Sequence, residues 1–214
     1  MLITSRLRVA ALAAAVVSVA TPAFAGPPLI CHPFETRGGA LLPWSAPSAA
    51  TQWNAPLGSY KVANLTTDVM KLLDADAPVL TRMENMRRAT IYASKDPAIA
   101  RQLLDAVIGR AQSARTGEAQ PLFDAGYLIE SYRQAEWIRE HRGSDWAAVD
   151  ATLKTGGYPF VRKAIAMSSG TNAEMEFAAS LMTQGAVASA HRAKAVAAAP
   201  KGSLLARNIA SLAF

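Results

Sequence analysis

Two groups of residues carry side chains able to do chemistry. One is the adjacent pair Cys31–His32, set in "GPPLICHPFETRGGALLPW" (residues 26–44) with the chain's only cysteine. Thiolate and imidazole ligate zinc and copper well, but a structural zinc takes about four protein ligands and a catalytic one about three. Only His141 and His191 can add imidazoles, both distant in sequence, and no Cys-x-x-Cys, His-Glu-x-x-His or Glu-x-x-His occurs. Cu(I) accepts softer and lower-coordinate sites, for which Met83, Met86, Met175 or Met182 can supply sulfur. A nucleophilic Cys31 needs His141 or His191 brought to it in space, with an orienting Asn or Asp. Against these stands packing of Cys31 as a small apolar side chain beside Ile30 and Phe34. The neighbours favour packing. Metal or redox handling by Cys31 and His32 is the alternative, and it requires an exposed thiol.

The other group lies in "PLFDAGYLIESYRQAEWIREH", where Tyr127, Glu130, Tyr132, Arg133 and Trp137 mix aromatic and charged groups within a few turns. Glu130 and Arg133 are neighbours on a helix surface, and Arg133 reaches Trp137 at i, i+4. Aromatic stacking next to paired charges can hold a peptide or glycan. Glu130 can act as a general acid if buried, although one carboxylate is not an acid–base pair. Tyr127, Glu130, Arg133 and Trp137 are therefore the candidate binding residues, set against a simpler reading with aromatics in the core and charges at its rim. His141, in "REHRGS", suits a solvated helix end, and His191, in "AHRAK", reads as exposed. No Gly-x-Ser-x-Gly elbow, Ser-x-x-Lys pair or phosphate-binding loop is present, so no residue is assigned a catalytic role and no cofactor is expected.

The elements that position these groups are helices. Six prolines between Gly26 and Leu65 (Pro27, Pro28, Pro33, Pro43, Pro47 and Pro56) exclude long helices and central strands there. Phe34, Trp44 and Trp53 make that arm a segment pinned to a body rather than a free tail. Ser59–Val62 alternates and predicts a short strand. From Thr66 the spacing turns helical. Leu80, Met83, Met86, Thr90 and Ala93 recur at three and four residues. Asp96–Pro97 reads as an N-cap followed by proline at the first helical position. The helix it opens is apolar on two sides, through Ile99, Leu103 and Ala106 and through Leu104, Val107 and Ala111, as a sandwiched helix must be. A helix from Pro121 to about His141 follows, closed by Gly143. Shorter helices sit around Trp146–Leu153 and Val161–Ser168. Thr171–Glu174 reads as a capping box opening an alanine-rich helix toward Ala198, interrupted at Gly185. Pro200 and Gly202 end it, and Ser203 starts a last short helix.

This pattern predicts an all-α fold, either antiparallel hairpins stacked in a tetratricopeptide-like (TPR-like) α–α repeat or an orthogonal bundle, with the proline-rich arm packed on it. Residues 1–25 read as a signal peptide. Arg6 and Arg8 precede an apolar Val9–Ala20, and Ala23-x-Ala25 offers a cleavage site after Ala25. The expected organisation is residues 1–25 as leader, 26–65 as arm and 66–214 as one helical domain, in the periplasm or outside the cell. Losing Arg6 and Arg8 leaves 20 basic against 16 acidic residues, a net charge of +4. Those charges are interspersed, which argues against a nucleic-acid binder. A lone cysteine also leaves no internal disulfide, so packing must supply the stability.

"GPPLICHPFE", "LPW", "RMENMRRATIYA" and "LFDAGYLIESYRQA" together resemble an uncharacterised group of secreted bacterial helical proteins. The resemblance spans most of the chain beyond the leader and implies export and a helical fold, with no activity or site to carry over. A protein or peptide partner in the cell envelope is the leading expectation, with an unrecognised hydrolase third.

Overall fold

The computed structural model describes residues 27–46, 56–74, 76–139, 144–168 and 172–212. The leader, Trp53, His141, Gly143 and Thr171 lie outside the described residues. Helices run over Pro28–Cys31 (α1), Leu65–Asp74 (α2), Val79–Ala93 (α3), Pro97–Gln112 (α4) and Ala119–Gln134 (α5). They continue over Ala147–Leu153 (α6), Tyr158–Met167 (α7), Ala173–Met182 (α8), Gly185–Ala198 (α9) and Leu204–Ser211 (α10). Single 3-10 turns occupy Val62–Asn64, Glu136–Ile138 and Ser144–Trp146. The fold is all-α. Among the described residues there is no strand, only an isolated bridge between Trp44 and Pro56. No helix among them is long and apolar enough to cross a membrane.

Local chemistry accounts for most boundaries. Asp96 caps α4 by accepting the Ala98 and Ile99 N–H groups at 2.8 and 3.3 Å, with Pro97 next in line. Ser203 caps α10 through the Ala206 N–H at 3.1 Å. Thr183 and Gln184 are extended and Gly185 takes φ +59°, so α9 folds back along α8 as the interruption at Gly185 predicted.

Three expectations need correction. Ser59–Val62 is not a strand: Tyr60 turns back onto Leu57, stacks on Tyr92 and bonds Asp68, leaving no extended partner. The predicted Pro121–His141 helix ends at Gln134, because Arg139 Nη2 occupies the Tyr132 carbonyl at 3.0 Å that a continuing helix would bond. The N-cap of α8 is Asn172, one residue on from the predicted Thr171. Asn172 caps α8 through the Met175 N–H, and Glu174 turns away to accept the Leu80 N–H of α3 at 3.1 Å.

α3 and α5 lie at the centre of one continuous core. Every α3 residue except Arg88 is buried, including Arg82, Glu84, Asn85 and Arg87. A helix with that much polarity survives burial only if each group is bonded. Arg82, joined by Arg110 of α4, grips Asp124 of α5, each guanidinium at 2.7 Å. The other polar groups face the arm. Glu84 accepts the Phe34 N–H at 3.0 Å while paired with Arg87 and Arg88. Asn85 takes the Leu42 N–H at 2.9 Å and gives a hydrogen to the Ala40 carbonyl at 3.0 Å. Arg87 and Arg88 donate to the carbonyls of Ile30 and Leu42, and Tyr92 to that of Pro43. Leu29, Ile30, Phe34 and Leu42 of the arm are buried as a result, and Phe34 packs edge-on against Phe177 of α8.

α5 and α7 meet where neither has a side chain. A Cβ on Gly157 would stand 1.9 Å from the Gly126 carbonyl oxygen, and one on Gly126 would stand 2.5 Å from that of Gly157. Both obstacles are backbone, so neither can swing aside. Gly157→Ala is expected to cost about 3 kcal/mol through forced separation of the helices. Asn85→Ala, which strands the buried Leu42 N–H of the arm and frees the more exposed Ala40 carbonyl, is expected to cost about 2 kcal/mol. Both appear as a lowered urea midpoint at unchanged slope. A midpoint equal to that of the parent protein in either variant contradicts the corresponding contact.

Candidate functional site

The residues singled out on α5 separate into three environments. Tyr127 is fully buried, stacked on Phe123 with centroids 5.6 Å apart, and its hydroxyl has no hydrogen-bond partner among the described residues. It is a core residue and lines no groove. Burial drives its phenol well above the usual tyrosine range. Trp137 is 51% exposed on the 3-10 turn beyond α5, so the helical i, i+4 relation to Arg133 is lost. Glu130 and Arg133 do stand together. Arg133 Nη1 reaches the two carboxylate oxygens at 2.8 and 3.0 Å, and Glu130 Oε1 also accepts the Gly157 N–H at 2.7 Å. Gly157 is the N-cap residue of α7 and has no side chain to cap with, so Glu130 caps α7 from across the interface. Its carboxylate oxygens are taken up by the Arg133 guanidinium and the Gly157 N–H.

Glu130 and Arg133 form one wall of a charged cleft of about 570 Å³, with Glu136, Arg139, Asp150 and Lys154 around it. Arg139 pairs with Asp150, whereas Glu136 and Lys154 have no ion pair among the described residues. Gln134, Met182 and Gln184 are shared with a second cavity of about 720 Å³, whose other walls include Pro27, Pro28, Leu181 and Ala188. Gln134 holds this junction. It accepts the Leu29 N–H at 2.9 Å and donates to the Leu181 carbonyl at 3.1 Å, tying the arm and α8 to α5. The two cavities adjoin along Gln134, Met182 and Gln184, one mainly apolar with Arg192 in its wall and the other charged.

Cys31 ends α1 at 4% exposure. Burial pushes its thiol up, and the nearby Arg87 charge offsets this in part. Burial and Arg87 both push the His32 imidazole down. Among the described residues no group of three or more His, Cys, Asp or Glu side chains is placed to hold a metal ion. The exposed thiol that metal or redox chemistry requires is not found there.

A third cluster lay hidden in the sequence. His191 is 8% exposed, not solvated as "AHRAK" suggested. Its Nδ1 bonds the buried Glu176 carboxylate of α8 in a short contact, and its Nε2 meets the Tyr158 hydroxyl of α7 at 2.8 Å. Lys194 Nζ reaches the other Glu176 oxygen at 3.3 Å. In the tautomer that places the ring proton on Nδ1 toward Glu176, Nε2 is the acceptor and the tyrosine hydroxyl donates to it. The signal was available: Glu176 and His191 are equidistant from the Thr183–Gln184 link, so a reversal there sets them opposite each other.

With Cys31 enclosed, a thiol reagent such as 5,5′-dithiobis(2-nitrobenzoate) is expected to react at least about tenfold more slowly with the folded protein than in urea. Equal rates would mean that the thiol is accessible. No protein-family model, curated protein or solved structure matches the chain.

Proposed function

We propose that this protein is an interaction module, exported by its leader and working in the periplasm or outside the cell, that binds an extended peptide of a partner protein in a groove that does no chemistry on it. The observation that carries the reading is the pair of cavities that adjoin along Gln134, Met182 and Gln184, which together we read as one groove. Its apolar end suits one or two apolar side chains, and its charged end offers Glu136 and Lys154, which have no ion pair among the described residues, to a polar continuation. The extended backbone at Thr183 and Gln184 runs along the shared wall, which favours a ligand that is itself extended. The finer architecture we propose is one of helical hairpins, α8 with α9 the clearest, gathered around α3 and α5 behind a packed proline-rich arm. The reading requires no cofactor and no nucleic acid. Fold alone assigns no activity, so the groove and not the helical class supports the proposal.

A random-peptide display selection against the folded protein tests it. Enriched peptides are expected to shift backbone amide resonances of residues 130–134 and 181–185. Met182→Arg, which fills the shared wall with a charge, is expected to weaken their binding at least about tenfold at unchanged circular dichroism. No enrichment, or shifts confined to another face, would sink the reading.

A further inference from the structure

The Tyr158–His191–Glu176 chain opens onto a cleft separate from the groove above. This cleft has a volume of about 520 Å³. Its walls are apolar, from Ile165 and Ala166 on α7 and Ala186, Val187 and Ala190 on α9. Two cations stand among them: Lys194, mostly exposed and paired on one side with Glu176, and Arg162, exposed and without an ion pair among the described residues. Three features of an activated nucleophile coincide at this cleft. A hydroxyl is hydrogen-bonded to an imidazole, the imidazole is oriented by a buried carboxylate, and the hydroxyl-bearing residue lines a cavity. The ring planes of Tyr158 and His191 are nearly perpendicular, at 77°, which suits an in-plane lone pair on Nε2 facing the phenol.

We propose that Tyr158 is an acyl-accepting nucleophile with His191 as its base, acting on an ester or thioester of a medium-chain acyl group whose tail lies against Ile165 and Val187. In the first step His191 Nε2 takes the phenol proton as the Tyr158 oxygen bonds to the acyl carbon. The tetrahedral oxyanion develops in the field of Lys194 and Arg162. The bond to the leaving oxygen or sulfur then breaks, and that atom takes the proton back from His191, leaving an acyl-tyrosine ester. Water completes the cycle. His191 removes its proton as it attacks, and the released Tyr158 oxygen recovers one from His191, giving a free carboxylic acid and the original site. Glu176 is a positioning residue that keeps the Nδ1–H tautomer and so leaves Nε2 free to accept.

The test uses 4-nitrophenyl hexanoate with the folded protein. Nitrophenolate release is followed in the first turnover, and the acylated residue is located by peptide mass spectrometry. A hexanoyl group on Tyr158 is expected, absent in Tyr158→Phe, which keeps the ring and removes only the nucleophile. His191→Gln is expected to slow acylation about 100-fold. Glu176→Gln retains an acceptor for Nδ1 and is expected to keep more of the rate than Glu176→Ala, at matched circular dichroism. Acylation of Lys194 or scattered surface lysines instead of Tyr158 would overturn the proposal. So would an unmodified protein that also releases no nitrophenolate above the buffer rate, or a Tyr158 rate that His191→Gln leaves unchanged. Because this cleft shares no lining residue with the peptide groove, failure here leaves the binding reading standing, and loss of peptide binding leaves this one untouched.

Discussion

An extended segment that enters a protein core carries its backbone N–H and C=O groups with it, and without a sheet to pair them something else must. Here most of that pairing comes from one helix. Glu84, Asn85, Arg87, Arg88 and Tyr92 of α3 meet the arm at Ile30, Phe34, Ala40, Leu42 and Pro43, so a row of side chains replaces a neighbouring strand. The charges involved are shared, with one carboxylate between two guanidiniums, and both guanidiniums also lie over the Trp44 ring at 5.1 and 5.4 Å. A buried charge cluster of this kind contributes little net stability when intact, but removing one member is costly. Its effect is to specify the register of the arm, and with it the placement of Pro27, Pro28 and Cys31.

The same substitution of distant side chains for local ones recurs at helix starts. α1, α3 and α7 begin after Pro27, Pro78 and Gly157, none of which can cap with its own side chain. Their leading N–H groups are met by Gln134, Glu174 and Glu130, lying 105, 94 and 27 residues away. Helix ends and tertiary packing are therefore one problem in this molecule. Two of these caps also wall the groove, where Glu130 and Gln134 hold the frame that shapes it.

This arrangement explains what could and could not be read from the residues. The all-α class, the Asp96–Pro97 start, the break at Gly185 and the Ser203 start were legible because each depends on neighbours within a few positions. The burial of Phe34 was legible from composition. The role of Glu130 was not, since nothing around it announces that a glycine 27 residues on lacks a cap. Glu174 was misread because a local capping box and a distant bond to Leu80 demand the same side chain. Tyr127 looked like a ligand-stacking residue because its polar tip suggests a wet end, yet its ring is wholly enclosed. His191 was misplaced because the polarity of its immediate neighbours outweighed the hairpin symmetry that sets it against Glu176.

Glu35 lies in the arm and is bonded twice by Asn208 of α10, which accepts its N–H at 2.9 Å and donates to its carbonyl at 3.0 Å. These groups are 173 residues apart. During synthesis the arm emerges before this fastening point, which exists only once a further 173 residues have appeared. An emerging chain can therefore bury the arm against α3 before α10 exists, and the Asn208 bonds add a long-range ring closure whose entropy cost grows with the length of chain enclosed. Chains stalled before α10 would be left with a loosely held arm and an incompletely sealed core, the kind of state that quality-control proteases recognise.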